Sequence, residues 1–188
     1  MKHLLFFLMV GMIMSSCSNS GSNSQSGEQG GQTEVVITND MENAMGGIPS
    51  WFNHNTVIAM KEPSAHSGDY ASVTNDTIEY SYFYREIVKN LKSGSVPKTA
   101  VYSGWVYTTV ANPNFEIICN VNADTVRYSW KAFPLDKELT EPGKWVEFTT
   151  SFSFEDKPLK SEYEIGLVAW NQSKKAVYID DLKITFIY

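Results

Sequence analysis

From Glu34 onward, apolar and polar side chains alternate in short runs, and each run stops at Gly, Pro, Asn or Asp. Alternation with period two marks strands whose one face is buried. The pattern predicts strands over Glu34–Thr38, Val57–Lys61, Asp69–Val73, Thr77–Val88, Ala100–Val110, Phe115–Val121, Thr125–Phe133, Trp145–Phe154, Tyr163–Trp170 and Ala176–Ile187. Breaks fall at Gly46-Gly47, Pro63, Gly94, Pro97, Asn112-Pro113, Asn122–Asp124, Pro142-Gly143 and Pro158. Tyr82–Lys92 alone has a helical option, outweighed by its aromatic residues, which favour a strand. Strands at this spacing imply an all-β sandwich or barrel.

Parity separates core from surface. Val146, Phe148, Thr150, Phe152 and Phe154 share an inner face. Between residues 100 and 110 both faces are partly apolar, so the second face is either covered or binds something. In the next hairpin, charged Arg127 and Lys131 mark one face as solvated, which assigns Trp130 to the core. The final strand contains two adjacent carboxylates, Asp180 and Asp181. By parity Asp180 points inward with Tyr178, Leu182, Ile184 and Phe186. A buried carboxylate needs a cation or several hydrogen-bond donors.

The N-terminus has a different pattern. Residues 1–14 form a short charged start and an apolar run of signal-peptide length, too short to span a bilayer with margin. Met14-Ser15-Ser16-Cys17 resembles the lipobox of bacterial lipoproteins. That resemblance implies cleavage after residue 16 and lipid on Cys17. Ser18 to Thr33 carries one charge, Glu28, and no aliphatic or aromatic residue, so a flexible tether is expected. The predicted organisation is a signal peptide over 1–16, lipidated Cys17 and tether over 17–33, and one β domain over 34–188.

Composition removes several functions. The formal net charge is −6 and no basic run interleaves with the aromatics, which argues against nucleic acid as partner. The second cysteine, Cys119, sits in an apolar strand and reads as a buried small hydrophobe. No metal spacing or disulfide framework remains. Zinc-protease, phosphate-loop and serine-hydrolase motifs are missing from the sequence. His66-Ser67-Gly68 fits a turn better than a triad, and Glu147, Glu162 and Glu164 read as solvated charges. No enzyme activity is expected.

Three segments together resemble a known family. They are Asn39-Asp40-Met41-Glu42-Asn43 with nearby Trp51, His66-Ser67-Gly68-Asp69-Tyr70, and Tyr178-Ile179-Asp180-Asp181-Leu182. The trio is similar to galactose-binding-like jelly rolls, notably carbohydrate-binding modules attached to polysaccharide-degrading enzymes. Ser103-Gly104-Trp105-Val106-Tyr107 and Trp170-Asn171 extend the likeness toward envelope proteins of Bacteroidetes-type bacteria. The resemblance implies a jelly-roll β-sandwich of two antiparallel sheets. It also implies a structural calcium held by Asp180, Asp40 or Glu42, and carbonyls around Ser67-Gly68. Backbone N–H groups with the Ser67 hydroxyl are the alternative partners for Asp180. Sugar rings stack on flat aromatic side chains, so Trp105 and Tyr107 are the leading ligand platform, followed by Trp51, Trp145 and Tyr163. Each also suits a core position. Asp76-Thr77-Ile78 and Asp124-Thr125-Val126 resemble O-glycosylation sequences of such bacteria. The expected role is non-catalytic glycan recognition by a protein lipid-anchored at the outer membrane, facing the periplasm or the outside. The alternative is a structural or protein-interaction subunit of an envelope complex.

Overall fold

The computed structural model describes residues 25–29 and 32–188, with side chains from residue 33 onward. Cys17 and the 1–16 segment therefore lie outside the described residues. Twelve strands are described, beginning with β1 (Gln25–Gln29), β2 (Gln32–Asn39), β3 (Trp51–Phe52), β4 (Val57–Ala59), β5 (Tyr70–Thr74) and β6 (Phe83–Ile87). After a single helical turn, α1 (Val88–Leu91), come β7 (Thr99–Thr108), β8 (Phe115–Ala123), β9 (Val126–Pro134), β10 (Trp145–Ser153), β11 (Glu164–Asn171) and β12 (Val177–Ile187). The stretch with a helical option thus splits into strand, then one turn. The two-residue strand β3 was too short to register as alternation. Gln25–Gln29, read from composition as tether, pairs in register with Gln32–Val36 through main-chain groups that any composition supplies.

The strands form two antiparallel sheets packed as a jelly-roll sandwich, one of seven strands and one of five in the order β3-β6-β11-β8-β9. The closing strand β12 is the axis of the larger sheet. It pairs with β7 along nearly its whole length, and β7 pairs with β10. On the other side its neighbour changes: β5 faces residues 177–179, and β2 faces residues 182–187. Inner faces interdigitate through Tyr102, Val106, Phe148, Phe152, Ile184 and Phe186 from one sheet, and Tyr84, Ile117, Val121, Ile165 and Leu167 from the other. Full burial of each such side chain contributes roughly 1.5–3 kcal/mol. Cys119 lies in this core, and burial pushes its thiol up to about 12.

Where β12 changes neighbours, it bulges. Asp180 pairs with Trp105 and Lys183 with Ser103, so Asp181 and Leu182 together oppose Gly104. Asp181 takes φ 49°, the left-handed conformation that an extra bulge residue can require. The bulge reverses parity and corrects the sequence argument. Leu182, Ile184 and Phe186 do point into the core, but Tyr178 and Asp180 lie on the outer side, beside Tyr107 and Trp105. Asp180 is nonetheless fully buried. Its cover is a loop, not the opposite sheet.

Trp130 is a second correction. It is 37% exposed and pairs with Asn120 on the outer face of the five-stranded sheet. A register shift between Val121 and Asn122 places Arg127 on that same side. Charge at position 127 therefore did not mark the face opposite Trp130.

Candidate functional site: an aromatic sheet face

The loop from Met60 to Asp69 crosses the outer face of the seven-stranded sheet and roofs Asp180. The Asp180 Oδ2 accepts N–H groups of His66 at 3.0 Å and Ser67 at 3.2 Å, while Oδ1 accepts the Asp181 N–H at 2.7 Å. Burial, opposed by the Ser67 N–H and reinforced by the Asp181 charge, raises the Asp180 carboxyl to about 7. Asp181 in turn accepts the Ser67 hydroxyl at 2.7 Å and contacts His66 Nδ1 at 2.6 Å. Ser67 thus donates to the carboxylate and not to the imidazole, an arrangement that leaves its hydroxyl unactivated as a nucleophile. From the other side of the loop, Glu42 Oε1 accepts the N–H groups of Asp69 at 2.9 Å and Tyr70 at 3.0 Å. A side chain at Gly68 would collide with that carboxylate, and Gly68 has φ +55°. Asp40 Oδ1 accepts the Glu42 N–H at 3.2 Å.

Of the five residues expected around calcium, Asp40 contacts the Glu42 N–H, while Asp180, Glu42, Ser67 and Gly68 meet at one loop. Asp180 and Glu42 bring carboxylates toward it from two sides, but main-chain N–H groups already hold both. Among the described residues no group of three or more His, Cys, Asp or Glu side chains could hold a metal ion. A calcium ion here would need the loop's carbonyls to supply most of its oxygen shell.

The same loop decides the fate of the leading aromatic platform. His66 lies flat on Trp105, with ring centroids 3.9 Å apart and planes 13° apart. Trp145 Nε1 donates to the Ser64 carbonyl at 3.1 Å, and Trp145 and Tyr178 pack on Met60, Ala65 and Ala71. Tyr107 is boxed between Trp145 and Tyr178. The apolar second face of this strand is covered by the protein itself. Trp51, 6% exposed, stacks on Tyr82 in the core, and Tyr163, 8% exposed, packs on Tyr128. Neither of these two presents a face to solvent.

The other sheet offers an open aromatic surface. Tyr80 is 40% exposed, bridges Trp170 across the sheet edge, and their rings lie 6.0 Å apart with planes 11° apart. Trp130 meets Trp170 edge-on at 83° and 6.2 Å, so half-buried Trp170 sits between two exposed rings, Tyr80 stacked beside it and Trp130 standing across its edge. Strand pairing sets side chains of this face in rows across the sheet. One row is Arg85, Gly166, Asn120 and Trp130; the next is Ile87, Glu164, Asn122 and Arg127. Gly166 matters here: a Cβ would strike the Asn120 carboxamide oxygen, so the glycine lets that amide lie low between Arg85 and Trp130. Phe52 and Phe83 pack together at the far end beneath the Arg85 guanidinium. Exposed aromatic rings beside amide groups suit a ligand ring with an apolar face and polar rim.

Sequence reading missed this surface for two reasons. Trp130 was assigned inward from its charged neighbours, and Tyr80, expected within a strand over Thr77–Val88, lies before β6 as an isolated bridge, where strand parity does not set its orientation. Trp170 entered only as the end of the strand expected over Tyr163–Trp170 and in the family likeness of Trp170-Asn171, not as a ligand platform. Glu147 is exposed, Glu162 accepts the hydroxyl of adjacent Ser161, and Glu164 pairs with Arg85; they do not converge. A cleft of about 490 Å³ opens elsewhere, between Asp40, Asn43, Ile48 and Asp181.

No protein-family model matches the chain. No curated protein matches it either. Several solved structures are similar in outline. The protein described as "Family 16 Carbohydrate Binding Module-2" is 19% identical, with 78% of this chain and 99% of that chain covered and a TM-score of 0.45. The CBM22-2 xylan-binding domain from Paenibacillus barcinonensis Xyn10C is 15% identical, with 79% and 98% covered and a TM-score of 0.44. The xylan-binding module CBM15 is 14% identical, with 81% and 97% covered and a TM-score of 0.42.

Proposed function

We propose that this protein is a non-catalytic glycan-recognition domain whose binding surface is the outer face of the five-stranded sheet. The observation that carries the reading is the cluster of exposed Tyr80 and Trp130 against half-buried Trp170 on this face. Aromatic side chains so placed bring large contact area at small entropic cost, and Asn120 and Asn122 add donors and acceptors in the neighbouring rows. In affinity electrophoresis through immobilised polysaccharides, Trp130→Ala and Tyr80→Ala should each abolish retardation of the folded domain, whereas Trp105→Ala should not. Retardation that survives both of the first two substitutions overturns the assignment of the face.

The exposed apolar residues Phe52 and Ile87 favour a second reading on the same surface, docking to another envelope protein. One stoichiometric partner on co-purification, with no polysaccharide retained, supports that alternative. Lipid anchoring through Cys17 at the outer membrane belongs to the proposal and rests on the lipobox-like sequence. Mass spectrometry of the protein extracted from membranes tests it. A structural calcium at the 66–70 loop is likewise proposed, supported by the approach of Asp180 and Glu42. A chelator should lower the melting temperature and added calcium restore it. An unchanged midpoint with no metal by elemental analysis rules it out.

A further inference from the structure

The chain has only two arginines, Arg85 and Arg127, among fifteen basic residues. Both lie on the aromatic face, and each guanidinium sits over a ring at 4.5 Å, Arg85 on Phe52 and Arg127 on Trp130. Their situations differ. Arg85 Nε is 3.5 Å from the Glu164 carboxylate, whereas Arg127 forms no ion pair among the described residues. A guanidinium over an indole is attracted by the ring, and its N–H fork can still pair with a planar or tetrahedral anion. The thirteen lysines, which carry the same charge without the fork, are placed elsewhere in the sequence.

We infer that the glycan bound on this face is anionic, carrying carboxylate or sulfate on its sugars, and that Arg127 is the residue that selects it. The inference rests on the proposed glycan site. Rows on this face run across the strands, and three inter-strand spacings separate Arg85 from Trp130, about 14 Å. Trp170 lies two rows from Trp130. A chain laid along the strands from Tyr80 and Trp170 past Asn120 and Trp130 sets its apolar ring faces on the aromatics and brings an acidic group within reach of Arg127 in the next row. The net charge of −6 opposes such a ligand at long range, but that repulsion is screened beyond about 8 Å at physiological ionic strength. The local charge at the Trp130 end therefore decides selection.

The test compares polymers that differ only in charge: polygalacturonate with its fully methyl-esterified form, and dextran sulfate with dextran, each by isothermal titration against the intact domain. Wild type should prefer one acidic member of a pair by about tenfold or more, the scale of one charge-assisted hydrogen bond. The pair that shows it identifies carboxylate or sulfate. Arg127→Gln should erase the preference between the charged and uncharged members of that pair, and Arg127→Lys should restore only part of it. Equal binding of charged and uncharged members, lost in Trp130→Ala but indifferent to Arg127→Gln, overturns this inference and leaves the glycan site standing. Binding to none of a broad polysaccharide panel overturns the glycan site itself.

Discussion

Asp180 is the residue where burial, charge and chain geometry conflict most directly. Its carboxyl is raised to about 7 by burial, against an ordinary value of 3.8. A group whose pKa is higher in the folded state contributes stability below the unfolded value, and that contribution is lost as pH rises through the folded one. In metal-free protein the unfolding free energy from urea titration should therefore fall between pH 5 and pH 7, with a slope of up to about 1.4 kcal/mol per pH unit, and the urea midpoint should fall with it. Asp180→Asn should flatten that dependence, and a midpoint independent of pH in the parent contradicts the account. The sequence disclosed that this carboxylate is buried and must have partners. It could not disclose that the roof is the His66–Ser67 backbone, since main-chain donors leave no mark on side-chain pattern. The Ser67 hydroxyl, offered as a partner, goes to Asp181 instead.

At the scale of elements, the β12 bulge organises both faces of the larger sheet. It lets β5 and β2 share one side of β12, and it turns Leu182 inward against Gly104. A methyl at position 104 would lie 2.9 Å from Leu182 Cδ2, 3.1 Å from the Asp180 carbonyl oxygen and 3.1 Å from Phe148 Cε1. Two neighbours are core side chains and one is fixed backbone, so Gly104→Ala should destabilise the domain by about 1–3 kcal/mol in denaturant unfolding. A neutral effect there would mean the bulge is placed wrongly. Strand positions were legible from alternation almost throughout, because a half-buried strand must alternate. Bulges were not, because one extra residue leaves composition unchanged while exchanging inside for outside. That is why Tyr178 was read as inward. The shift between Val121 and Asn122 likewise put Arg127 on the side of Trp130. Trp105 was correctly seen to have a covered or binding face, but choosing between the two required knowing where residues 60–69 fold.

At the scale of the molecule, the sandwich has two outer surfaces with opposite treatment of their aromatics. One carries its own loop, with His66 occupying the Trp105 ring; the other leaves Tyr80 and Trp130 exposed around half-buried Trp170. The tryptophan indoles report on both in a single experiment: Trp51 in the core, Trp105 and Trp145 under the loop, Trp130 and Trp170 on the open face. Titration of the 15N-labelled domain with polygalacturonate, and separately with a neutral arabinoxylan, should shift the indole resonances of Trp130 and Trp170 with at least one polymer while Trp51, Trp105 and Trp145 stay in place. Shifts confined to Trp105 and Trp145 would show that the loop-covered surface binds instead, and would contradict the account.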